Sequence, residues 1–161
     1  MIRLLPSIPE AIHQFRANPW PYQRTLVTPR TNMASFLSAL LAVFPVDHGA
    51  ASTDQVVFEP DNFLELLKAR ELAIGNYWTF YAEASNTDDL TVLLDAMLND
   101  WIDFVFVPSP ESFAIYADHD EFLTLYVPTS SGLDQLVTRL EQVGFSFEDY
   151  LRPSRGNKIW R

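Results

Sequence analysis

The densest run of side chains able to do chemistry is Asp118-His119-Asp120-Glu121. Three carboxylates and an imidazole in four residues raise two chemistries, metal ligation and acid–base catalysis. A metal centre needs three or four side chains converging on one point at about 2 Å, and adjacent residues rarely converge unaided. The chain has no cysteine, and no second histidine lies nearby in sequence. A hard cation would accept the carboxylates, but the run lacks the Asp-x-Asp-x-Asp-Gly order of a calcium loop. Asp and His also suit a tight polar turn. The expectation is therefore a turn, with no metal and no cofactor.

Acid–base chemistry has two further histidines to draw on, His13 and His48. None of the three stands in a recognisable Ser or Cys nucleophile context. Asp88-Asp89, or Asp100 with Asp103, could serve as a carboxylate pair of the glycosidase kind. A chain with 21 acids makes such pairs by chance, and Asp88-Asp89 falls at a predicted helix start, where acids belong electrostatically. The glycines at 49, 75, 132, 144 and 156 are too scattered for a phosphate loop or a dinucleotide fingerprint. No catalytic residue is assigned on these grounds. A small hydrolase using carboxylate and His48 or His119 chemistry stands as the competing class.

The elements that must carry these residues follow from hydrophobic spacing. The 161 residues suit one domain, helical over about 1–75, β-rich over about 76–151, and ending in a basic tail at 152–161. Met1–Leu5 reads as an edge strand, Pro9–Arg16 as a helix and Gln23–Thr28 as a strand. Phe36, Leu37, Leu40, Leu41 and Phe44 share one face of a second helix that Pro45 stops. Val46–Thr53, with Gly49 and small residues, reads as a loop, and Gln55–Glu59 as a short strand. A third helix starts at Asp61. Tyr77–Glu83 and Trp101–Val107 read as strands around a helix capped by Asn86 or Thr87. Ser112–Ala117 and Phe122–Val127 make a hairpin across the polar turn. A last helix begins at Ser130 or Ser131, and Phe145–Tyr150 reads as a final edge strand. The fold class is α+β, a mixed, mostly antiparallel sheet of about four or five strands with helices packed on it.

Alternation divides those strands between two faces. Trp78, Phe80, Ala82, Ile102, Phe104, Phe106, Phe113, Ile115, Leu123 and Leu125 belong to a core that meets the helices. The opposite set is Tyr77, Tyr81, Glu83, Trp101, Asp103, Tyr116 and Tyr126, with Asp118, Asp120 and Glu121 in the adjoining turn. Aromatic groups with polar ends are favoured at interface hot spots, and acids beside them complement a basic partner. The same residues form a second core layer if the N-terminal helices lie over them.

Charge points the same way. Residues 1–46 carry Arg3, Arg16, Arg24 and Arg30 against Glu10, a net +3, and residues 152–161 carry four bases and no acid, a net +4. The whole chain stands at −10, so the middle stands at −17. From Glu71 to Ser131 there is neither Lys nor Arg. Such a surface repels nucleic acid and anionic lipid, whose binding rests on neutralised phosphates. It also serves solubility alone. Pro6 and Pro9 interrupt any leader-like run, and no stretch approaches the length of a membrane span. A cytoplasmic protein is expected, engaging neither nucleic acid nor membrane. The expected role is that of an acidic inhibitor, antidote or immunity protein that occludes the active site of a basic protein such as a nuclease toxin. Self-association through an exposed sheet is a third class.

Overall fold

The computed structural model describes residues 1–153. Within them the chain runs β1 (Ile2–Leu5), α1 (Glu10–Ala17), β2 (Tyr22–Val27), α2 (Met33–Val43), β3 (His48–Gln55), α3 (Asp61–Ala69), β4 (Tyr81–Ala84), α4 (Thr87–Asn99), β5 (Asp103–Ser109), β6 (Ala114–Ala117), β7 (Phe122–Val127) and α5 (Ser130–Gln142). The strands form one sheet in the order β1-β4-β3-β5-β6-β7-β2. Every pairing is antiparallel. The protein is thus α+β, with seven strands rather than four or five. Three of them precede residue 56, so the N-terminal part is not mainly helical.

One face of the sheet supplies Ala82, Ala51, Phe104, Phe106, Ile115, Leu123 and Leu125 to a core closed by α2, α3, α4 and α5. Phe63 of α3 stacks on Phe80 at 4.2 Å between ring centroids. The N-terminus of α3 is capped from a distance: Phe63 N–H donates to Asp100 Oδ2 at 2.7 Å, and Asn62 N–H to Asp100 Oδ1 at 3.0 Å. Asn86 caps α4 by accepting from Asp89 N–H at 2.8 Å, and Thr129 caps α5 by accepting from Gly132 N–H at 3.0 Å. The cap of α5 therefore falls one residue ahead of Ser130.

The other face is covered in part by α1. Ile12 and Phe15 are buried against Val105, Val107, Ala114, Tyr116 and Tyr126. Phe15 meets Tyr126 and Trp20 edge-on, each at 5.1 Å. Burying two such side chains contributes about 1.5–3 kcal/mol each. That suffices to seat a helix of eight residues, too short to persist alone.

Several boundaries differ from the sequence reading. Val46–Thr53 is no loop, since β3 occupies the middle of the sheet between β4 and β5. Its Gly and Ala residues look like loop composition, but both faces of this strand are crowded. A Cβ on Gly49 would stand 2.3 Å from Phe106 Cζ. Ala50 lies under α1 while Ala51 enters the main core. Small residues are what fits there, and tertiary context overrides low strand propensity. Residues 56–60 form no strand, and Tyr77–Phe80 is turn and coil leading into β4. Trp101 precedes β5 with φ 54°, outside strand geometry. Residues 145–150 make a single bridge, Glu148 with Thr25, rather than an edge strand. Apart from Arg152 and Pro153, the basic tail lies outside the described residues.

Candidate functional site

Strand register places distant segments together. Leu5 pairs with Tyr81, Tyr81 with Ser52, Gln55 with Asp103, Phe104 with Ala117, Ala117 with Leu123 and Phe122 with Val27. One end of the sheet therefore carries the segments after β1, β2, β3 and β6 and those before β4, β5 and β7. Seven strands at the usual spacing make this edge roughly 29 Å wide. Here stand Phe58, 53% exposed, and Trp78, 54% exposed, with Tyr77 packed 4.9 Å from the Trp78 ring. Trp101 lies here too, beneath the Arg30 guanidinium at 4.4 Å. The acids at this end include Glu59, Asp61, Asp118, Asp120 and Glu121. Of these, Glu59, Asp61 and Glu121 join no ion pair among the described residues.

The polar turn between β6 and β7 is held by its own side chains. Asp118 Oδ1 accepts from Asp120 N–H at 2.9 Å and Phe122 N–H at 3.1 Å. Asp103 Oδ1 accepts from His119 N–H at 2.6 Å and contacts its ring Nδ1 at 2.8 Å. Asp120 faces Nε2 at 3.6 Å. The bond to Asp103 raises the His119 pKa above its ordinary value, against the effect of burial. Both ring nitrogens face carboxylates, which favours the charged imidazolium and removes the lone pair a general base needs. Beside this turn a cleft of about 460 Å³ opens, bordered by Thr28, Arg30, Trp101, Glu121, Phe145 and Glu148 among others.

A second polar group lies on the α1 side of the sheet. Asp54, at the bulge of β3, pairs with Arg16 of α1. Burial pushes its carboxyl up to about 6, with Arg16 pulling the other way and Asp103 adding to the rise. Arg152 lies 4.2 Å over the Tyr116 ring. Its guanidinium donates to Thr124 Oγ1 and Asp118 Oδ2, each at 3.0 Å. Gln23 and Arg152 exchange two further hydrogen bonds, at 2.7 and 2.9 Å.

The residues singled out from the sequence separate accordingly. Tyr77, Trp101, Asp118, Asp120 and Glu121 share the sheet end, with Asp103 just inside it. Tyr116 and Tyr126 do not line an open face: Tyr126 is 0% exposed, and both are buried beneath α1, with Arg152 over Tyr116. Burial raises both phenol pKa values. Tyr81 opens β4 at the same sheet end, between β1 and β3, and Glu83 lies two residues further into that strand, where it pairs with Arg3. Asp118 and Glu83 are thus neutralised by arginines from the two ends of the chain. Alternation assigns Trp78 to the core face, but it is exposed because Tyr77–Phe80 is turn and coil rather than strand; Phe58 and Glu59 likewise lie in residues 56–60, where the expected strand does not form.

The remaining candidates for chemistry are spread apart. His48 pairs with Asp47 at 2.6 Å at the opposite end of the sheet, and His13 stands on the exposed side of α1. Asp89 is held by Arg70 and the N-terminal ammonium, which keep its carboxyl well below the usual range. Asp100 is occupied as the α3 cap. Among the described residues no cluster of three or more His, Asp or Glu is placed to hold a metal. No helix among them is long and apolar enough to cross a membrane. Comparison with family models, curated proteins and solved structures found no match.

Proposed function

We propose that this chain is an acidic binding protein of the inhibitor, antidote or immunity type. It acts in the cytoplasm by capping the active site of a basic protein such as a nuclease toxin. The observation that carries the reading is the sheet end, which exposed Phe58 and Trp78 share with Glu59, Asp61 and Glu121, acids that join no ion pair among the described residues. Rigid aromatic anchors supply the binding energy at such interfaces. Acids around them accelerate encounter with a cationic surface and reject anionic competitors. The charge of −10 makes the whole molecule a steering field of one sign.

The test is a low-salt pull-down with the immobilised chain, followed by inhibition and rate measurements on the captured protein. The expected partner is strongly basic and loses activity when the chain is added. Its association rate falls steeply between about 50 and 500 mM salt. Recovery of no cationic protein, or of one whose activity is untouched, counts against the reading.

A further inference from the structure

We propose that the α-amino group of Met1 is an acylation site that controls one edge of the sheet: uncapped, it locks β1 onto α4 through Asp89, and acylated, it releases the strand. The Met1 ammonium lies 2.5 Å from Asp89 Oδ2. Asn86 Nδ2 donates to the same oxygen at 2.8 Å, and Arg70 holds Oδ1. Asp89 N–H donates in return to Asn86 Oδ1 at 2.8 Å, so the carboxylate is fixed in the first turn of α4. The helix dipole favours an acid there. Asp89 is 7% exposed, and a carboxylate taken that far from water depends on its cations.

The carbonyl of Met1 is gripped as well. Met1 O accepts from Ser85 N–H at 3.0 Å and from Ser85 Oγ at 3.1 Å. The turn from β4 into α4 therefore holds the first residue at both ends of its backbone. Beyond Met1, β1 has little to keep it in place. It is four residues long, stands at the edge of the sheet, pairs with β4 alone, and is followed by Pro6. Ile2 enters the main core and Leu4 packs against it in part. Arg3 pairs with Glu83 on the exposed side, where an ion pair contributes little. Short edge elements open locally at small cost, so a charged bond to a buried carboxylate is a large share of what closes this one.

The amine is open to chemistry although its partner is not, since Met1 is 67% exposed. An acyl thioester is the class of donor the step requires. The amine leaves Asp89, loses a proton and attacks the thioester carbonyl. An amide C–N bond forms, the C–S bond breaks, and the sulfur departs as thiolate. The product carries one N–H and no charge. Arg70 is then left as the cation on Asp89, and β1 loses its tie to α4. This latch is independent of what the sheet end binds.

The test is amide hydrogen exchange, followed by NMR, on the full chain with an uncapped Met1 amine and on the same chain Nα-acetylated, the two verified by mass to differ at Met1 alone. The β1 amides should exchange about tenfold faster after acetylation, with those of β5, β6 and β7 unchanged. A chain dimethylated at the same nitrogen keeps its charge and one N–H donor, and should exchange as the parent does. In an Asp89→Asn background acetylation should add nothing. Unchanged β1 exchange in the acetylated chain, or the same loosening in the dimethylated chain or in the Asp89→Asn background, overturns the proposal. If Asp89→Asn does not fold, the acetylated and dimethylated chains still decide the matter.

Discussion

Asp54 shows most directly what neighbours do to a group. Its carboxylate is removed from water by α1 and held there by Arg16, and burial prevails, so the pKa rises to about 6. A carboxyl whose folded pKa exceeds its unfolded value of 3.8 adds stability that is complete below about 4 and lost as pH climbs through 6. Carbon-detected NMR of the Asp54 carboxyl should give a midpoint near 6. Arg16→Met should move that midpoint higher, because Arg16 is the influence that lowers it; a downward move would contradict this account. His119 behaves in the parallel sense for a base. Its folded pKa is raised by Asp103, so the stabilisation from that pair is complete below about 6.5 and lost as pH climbs through the folded value. Asp103→Asn should return the His119 titration, followed by its ring protons, toward the ordinary value. The variant should also flatten this pH dependence of urea stability.

At the scale of elements, α1 and β3 explain each other. A short helix crosses the α1 face of the sheet only because Phe15 and Ile12 find a bed of Val105, Val107, Ala114 and Tyr126. Phe15→Ala should cost about 3–5 kcal/mol in urea unfolding, and a loss under 1 kcal/mol would mean that α1 is not seated there. Beneath it β3 accepts only small residues. Gly49→Ala places a methyl against the Phe106 ring and Pro108 Cα, so it should destabilise by about 1–3 kcal/mol. Phe106→Leu in the same chain should recover part of that loss, which a purely backbone effect would not allow. Hairpin, helix faces and most core strands were readable because alternation and the 3.6-residue repeat are local signals. The central strand was not, since its selection for smallness comes from partners 29 to 61 residues away in the chain.

For the whole molecule, the question is how much of the acidic charge faces outward. Arginines from the chain ends neutralise Glu83, Asp54 and Asp118, and Arg70 with the N-terminus neutralises Asp89. The acids that remain in solvent at the sheet end, Glu59, Asp61, Asp120 and Glu121, are those positioned to meet a partner. Reversing Glu59 and Asp120 to lysine should slow association with the cationic protein at least tenfold at low salt, with little effect above about 500 mM salt. Trp78→Ala should instead raise its dissociation rate, since a hot-spot anchor acts mainly there. Stopped-flow or surface binding kinetics read both.

Composition and periodicity alone established an acidic α+β chain with an aromatic stretch from Glu71 to Ser131 free of lysine and arginine, because charge counts and repeating apolar spacing need no knowledge of partners. Whether those aromatics met water or α1, and whether an acid met solvent or an arginine more than thirty residues away, was decided only by the tertiary fold. Alternation says that two side chains share a face; it does not say what comes to lie over that face. Tyr116 and Tyr126 share it with Asp103, and it is α1 and Arg152 that close it.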